Sequence, residues 1–92
     1  MRDEERYRLV LTPRARRLLT DRLLPEAAFA AWELVSEALT TRPKMVGVPL
    51  DAPFSGQWGA RRGEYRVRYE IDDVRGAVRV LDIAHRRDAY RS

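Results

Sequence analysis

From Glu64 to Asp72 (EYRVRYEID), charged and apolar residues alternate at every step. Only an extended strand, whose successive side chains point to opposite faces, sorts such a run into two coherent surfaces. One face takes Tyr65, Val67, Tyr69 and Ile71, and the other takes Glu64, Arg66, Arg68, Glu70 and Asp72. A helix would scatter both sets around its circumference. Turn signals bracket the run, with Gly63 before it and Asp73 to Gly76 (DVRG) after it. Flanking stretches Gln57 to Arg62 and Ala77 to His85 (AVRVLDIAH) then read as further strands, so the C-terminal half predicts a three-stranded antiparallel meander. In the last strand, two-residue periodicity puts Val78, Val80, Asp82 and Ala84 on one face and Leu81 and Ile83 on the other. Apolar residues on both faces predict a central strand covered above and below.

The N-terminal half carries a different period. Met1 to Arg6 reads as a loose charged tail, and Tyr7 to Leu11 alternates as a short strand. Thr12-Pro13 is an N-cap followed by proline at the first helical position, which opens a short helix ending near Leu23. Leu24-Pro25-Glu26 opens a second helix, with Ala28, Ala31, Trp32, Val35, Ala38 and Leu39 as its apolar stripe, Trp32 included in the core. It stops before Pro43, because the residue ahead of proline avoids the α region. Lys44 to Gly56 reads as a structured loop with apolar anchors at Val48, Leu50 and Phe54, and Arg86 to Ser92 as a short tail. The predicted class is α+β, in the order β-α-α-β-β-β, with a helical hairpin on one face of a small, mostly antiparallel sheet. At 92 residues this is a single domain, 1–92, with enough surface to bury for one modest core.

Several chemistries are excluded early. Cysteine is absent and there is one histidine, so neither a disulfide framework nor a conventional zinc site is expected, and no cofactor is predicted. No phosphate-cradling GxxxxGK[ST] loop occurs, and Ser36, Ser55 and Ser92 stand in no nucleophile motif. No apolar run approaches the ~18 residues of a membrane span, and the N-terminus does not resemble a secretory signal. The expectation is a soluble, cytoplasmic protein with no membrane partner.

What remains is positive charge. The net charge is +4 and the pI about 10.1, and of 18 basic residues Lys44 is the sole lysine. Arginine presents a planar fork that grips phosphate, although a genome rich in G and C also favours its codons. Such a pI in a small domain is the usual footprint of a nucleic-acid partner, and also suits an acidic protein partner. Arg61, Arg62, Arg66 and Arg68 sit on or beside one hairpin, while His85, Arg86, Arg87, Tyr90 and Arg91 cluster at the chain's end. If the last strand pairs with Glu64–Asp72, the two groups converge. Converging guanidiniums beside a phenol suit cleavage at a ribose: the 2′-hydroxyl attacks the adjacent phosphate, and fixed arginines stabilise the charge that develops. Tyr90 would take the 2′-proton, its ordinary pKa of about 10 being lowered by neighbouring cations. Ordinary ion pairing with Glu64 and Glu70 is the competing reading for the strand arginines. His85 is either a strand-end residue or a proton donor to the leaving oxygen, and Trp58 either core or a surface for stacking a base.

The stretches YRLVLTPRARRLL, RPKMVGVPL, SGQWGARRGEYRVRYEIDD and VRVLDIAHRRDAYR, spanning Tyr7 to Arg91, resemble the RelE/ParE superfamily of bacterial type II toxins. Within it they are most similar to the RelE-like branch of actinobacterial type. The specific carriers are G-x-W-x-x-R-x-G-x-Y-R-V-x-Y and the following H-R-R-D-x-Y. The resemblance implies a ribosome-dependent endoribonuclease that cuts mRNA in the ribosomal A site without metal. It also implies a RelB-like antitoxin, and contact with operator DNA only through the complex with that antitoxin. It places catalytic roles on Arg66, Arg86, Tyr90 and Arg61, with Arg62, Arg68, Arg87, Arg91 and His85 as candidate RNA-binding residues. Two positions depart from the best-studied nucleases, which have lysines where Gln57 and Gly59 stand here. The alternatives are a ParE-like poison of DNA gyrase, or a protein of this fold that lacks catalysis and acts as a repressor partner.

Overall fold

The computed structural model of the protein describes residues 6–22 and 25–85, so the expectations for the two tails and for Leu23-Leu24 lie outside the described residues. Its centre is the predicted meander: β3 (Trp58–Arg62), β4 (Tyr65–Asp72) and β5 (Ala77–His85), paired antiparallel in sequence order. Strand β1 (Arg8–Leu11) adds parallel to β5, from Arg8 opposite Ala77 to Leu11 opposite Val80. A two-residue strand, β2 (Val48–Pro49), adds antiparallel to β3. The sheet is five-stranded and mixed, in the order β1-β5-β4-β3-β2.

The predicted loop Lys44 to Gly56 is therefore more ordered than its composition suggested. It holds a helical turn, α4 (Pro43–Val46), and then β2. Two of its three expected anchors are not anchors: Val48 is 62% exposed and Phe54 41% exposed. Leu50 alone is half-buried, lying over Gly59.

One expectation fails through a single residue. Arg68 pairs with Asp82 but Tyr69 pairs with Val80, so Leu81 is the extra residue of a β-bulge. A bulge reverses the parity of every residue beyond it. Val78, Val80 and Ile83 therefore face the core together, opposite Ile71, Tyr69 and Val67, and Asp82 turns away from it. Strand β5 is central, but it is covered on one side. Its apparent two-faced apolar pattern is one apolar face read across a shift.

The helices cover that face. Thr12 caps α1 (Pro13–Arg17) as predicted: its Oγ1 accepts from the Ala15 N–H at 3.2 Å and donates to the Val80 carbonyl at 2.9 Å, which ties the helix start to β5. The helix continues as wider i→i+5 turns over Leu18–Arg22. The second helix runs α2 (Pro25–Glu33), wider turns over Leu34–Ala38, then α3 (Leu39–Thr41). That widening moves the buried stripe. Ala31, Leu34, Val35 and Leu39 enter the core with Ala15, Val67, Tyr69, Val78, Val80 and Ile83. Trp32, expected in the core, is 44% exposed, and Phe29 beside it is 64% exposed. A stripe extrapolated at 3.6 residues per turn cannot anticipate a change of pitch partway along the helix.

Among the described residues, Tyr69 is the largest fully buried side chain. Its hydroxyl donates to the Pro43 carbonyl at 2.6 Å, joining the sheet to α4. Burial pushes its pKa up to about 12. The unfolded chain ionises this phenol near pH 10, and the folded chain resists until about pH 12. The corresponding stability is intact below pH 10 and is lost as pH rises to about 12, an order-of-magnitude change of ~3 kcal/mol. Urea unfolding followed from pH 9 to pH 12 should show this fall, and Tyr69→Phe should flatten most of it. At the neighbouring corner, Asp73 accepts from the Tyr7 hydroxyl at 2.6 Å and pairs with Lys44 Nζ at 2.8 Å. These partners hold the Asp73 carboxyl below its usual range.

Candidate phosphate-binding groove

The alternation in β4 places Arg66 and Arg68 on the sheet face away from the helices, and antiparallel register brings Arg61 directly opposite Arg66. Their neighbours on that face are small. Gly59 stands beside Arg68 and Ala84 beside Arg66. Leu50 lies over Gly59, and a groove of about 650 Å³ opens between the arginines and the loop. Arg61, Arg66, Arg68 and Asp82 line its sheet side, and Val48, Leu50 and Phe54 line its loop side.

The three arginines are not equivalent. Arg68 is held in place: Nη1 donates to Gln57 Oε1 at 2.7 Å, Nη2 lies 3.5 Å from Asp82 Oδ2, and the guanidinium carbon sits 4.3 Å from the centre of the Phe54 ring. Asp82 is fixed in turn by Arg14 Nε at 3.0 Å and by the Ile83 N–H at 3.0 Å. Arg61 is exposed and, among the described residues, makes no ion pair. Arg66 is half-buried opposite it. Like charges placed directly across a strand pair are destabilising. Two opposed cations lining one groove make a site suited to an anion.

Arg62 alternates onto the helix side, where Nη1 lies 3.8 Å from Glu33 Oε1 on α2, both side chains about half exposed. It is thus separated from Arg61, Arg66 and Arg68. A partly exposed pair at that distance contributes at most ~1 kcal/mol. Arg62→Ala is expected to change stability by less than ~0.5 kcal/mol and to leave groove activity unaltered, as thermal melting and a cleavage assay would check.

His85 is the last described residue and pairs with Tyr65, as Ala84 pairs with Arg66. The strand pairing on which the expected convergence depends is therefore present. Arg86, Arg87, Tyr90 and Arg91 lie outside the described residues, as does the side chain of His85. Trp58 is half-buried and packs against the core.

Sequence reasoning missed three participants. Gln57 was read only as an absent lysine, yet it fixes Arg68. Asp82 was assigned to the apolar side of β5, although an acid inside so apolar a strand is itself a signal. Phe54 was read as an anchor, and nothing in sequence shows which way a loop side chain faces.

The chain is similar to several known proteins. Residues 9–90 match the family model described as the ParE toxin of the type II toxin–antitoxin system parDE. Toxin RelE of Mycobacterium tuberculosis is 40% identical over 91 residues, covering 99% of this chain and 93% of the relative. Toxin RelG of the same organism is 40% identical over 85 residues, covering 92% and 97%. Among solved structures, the toxin–antitoxin complex RelBE2 from M. tuberculosis contains a chain with 38% identity and a TM-score of 0.83, covering 88% of this chain and 99% of that one. A conserved hypothetical protein from Helicobacter pylori shares the fold at a TM-score of 0.54 with 8% identity.

Proposed function

This chain belongs to the RelE/ParE superfamily of toxins from type II toxin–antitoxin systems, and on that premise we propose that it is a ribosome-dependent endoribonuclease acting on mRNA. The observation that carries the reading is the Arg61–Arg66 pair, set across β3 and β4 at the groove. In cleavage by an adjacent 2′-hydroxyl, the hydroxyl oxygen attacks phosphorus, its proton passes to a base, and the 5′-oxygen leaves with a proton. The phosphate carries its greatest charge between those events. Two guanidiniums carried on adjacent strands of one sheet would meet that charge from both sides of the pairing, a form of electrostatic catalysis. Arg86, next in sequence to His85, would add a third cation, and Tyr90 would serve as the base. The relative named RelE and the toxin chain of the RelBE2 complex support this reading.

A catalytic set this sparse needs its substrate delivered in register, and the ribosomal A site would supply that positioning. Activity on free RNA should accordingly be weak. The inhibitory partner in this reading is a RelB-like antitoxin, in line with the RelBE2 complex, and operator DNA would be bound only through it.

A second reading, poisoning of DNA gyrase, is favoured by one observation. Gln57 is committed to Arg68 and Gly59 has no side chain, so the chain entering β3 brings no cation at the two positions where the best-studied RelE nucleases carry lysines. Inducing the protein and mapping mRNA 5′ ends separates the two. Cuts within translated codons support the nuclease. Intact mRNA together with gyrase-trapped DNA breaks would overturn it, and neither effect would point to a repressor partner without catalysis.

A further inference from the structure

We infer that Phe54 is a base-stacking surface, which makes the groove a two-part nucleotide site with phosphate on the arginines and a nucleobase on the ring. This rests on the nucleotide-binding part of the reading above.

Phe54 is not packed as an apolar loop residue ordinarily is. It is 41% exposed and lies on the wall of the same groove that Arg61 and Arg66 line. Its backbone is nevertheless held firmly. The Leu50 N–H donates to the Gln57 carbonyl at 2.9 Å, the Phe54 N–H to the Asp51 carbonyl at 2.9 Å, and the Gln57 N–H to the Phe54 carbonyl at 3.0 Å. These three bonds close residues 50–57 into a compact turn with the ring presented from it. The guanidinium of Arg68 then lies 4.3 Å from the ring centre, so a cation occupies one aromatic face. That cation is itself fixed by Gln57 and Asp82. An aromatic side chain that is rigid, partly exposed and backed by a cation is the arrangement with which proteins stack single-stranded bases, next to a positive track for the backbone. Arg68 is thus a positioning residue that holds the ring, while the phosphate contacts belong to Arg61 and Arg66.

Charge complementarity identifies the occupant. An apolar peptide side chain would satisfy the ring but leave the exposed Arg61 guanidinium on the same groove unmatched. A single-stranded nucleotide satisfies both, with its base and phosphate joined by one sugar. The ring has no hydrogen-bonding group, so it holds a base by its flat face and tolerates different bases.

The test uses the whole chain and a trinucleotide blocked by 2′-O-methyl groups, so that binding is read without cutting. The chain has two phenylalanines, and Phe54→Leu identifies the Phe54 ring signals in the proton NMR spectrum by their disappearance. The expected result is an upfield shift of those signals with the trinucleotide but not with its abasic analogue, while the Arg61 and Arg66 Nε–H signals respond to both. Phe54 signals that stay still while the arginines respond would overturn the proposal, and so would an absence of any response. In a translating extract, Phe54→Leu, which keeps an apolar contact with Arg68, should lower cleavage roughly 10-fold, within the about 5- to 150-fold span of one lost base stack. Phe54→Trp should stay within about 2-fold of the parent. Equal cleavage by Phe54→Leu and the parent would also overturn it. If the parent cuts no mRNA but the ring signals shift, the nuclease reading falls and the base site stands.

Discussion

Replacing Arg66 by alanine is expected to lower mRNA cleavage on translating ribosomes by about 100- to 1,000-fold, the usual loss when one fixed donor to a developing oxyanion is removed. The melting temperature should move little, because Arg66 lies on the groove face and outside the apolar core. Activity and stability are thus predicted to move independently, which a general folding defect would not produce. Arg66→Lys should recover only part of the rate, since an ammonium keeps the charge but lacks the planar fork that matches a phosphate. The assay is primer extension on a defined transcript in a coupled translation system, paired with a thermal melt of each variant. An Arg66→Ala protein that cuts at the parental rate would remove Arg66 from the site.

Gly47→Ala is expected to be the most damaging small substitution in the described chain. The backbone there is unstrained, with φ −117°, so conformational freedom is not the reason for glycine. Space is the reason. An added Cβ would run into the Tyr69 hydroxyl and come within 2.5 Å of the Gly59 carbonyl oxygen. One obstacle is backbone of β3 and the other is a buried hydroxyl committed to Pro43. Relief requires either lifting β2 from β3 or breaking the Tyr69–Pro43 hydrogen bond. Overpacking and loss of a buried hydrogen bond each cost on the order of 1–3 kcal/mol, so a loss of about 2–4 kcal/mol is expected. In a domain whose total stability is of order 5–14 kcal/mol, that lowers Tm by about 10–25 °C. Calorimetry of Gly47→Ala decides the matter, and a shift under about 3 °C would show that the junction is looser than its geometry implies.

The features legible in the sequence were those that periodicity encodes over several residues. The alternation of β4 fixed which arginines leave the core, and Gly63 and the DVRG turn fixed the register that sets Arg61 against Arg66. Thr12-Pro13 marked the start of α1 because a cap is a local chemical event. The features that escaped have no period. A single bulged residue, Leu81, reversed the faces of β5 and hid the role of Asp82. A change of helical pitch begins at Leu34, which joins the buried stripe while Trp32 stays at the surface. Strand β2 is two residues long, too short to alternate, and the direction in which Phe54 points is decided by three hydrogen bonds among residues 50–57. Each is an insertion, a pitch change or a tertiary contact, and none leaves a pattern that composition or spacing records.

The parallel pairing of β1 with β5 sets the order in which the molecule comes into being. Arg8 pairs with Ala77, so β1 has no strand partner until β5 has been translated. Until then Val67 and Tyr69 lack the cross-strand neighbours Ile83 and Val80, and Arg68 lacks the carboxylate that steadies it. A fragment ending at Gly76 should therefore give no cooperative melt. The groove therefore arises only with β5, after the other four described strands have been made.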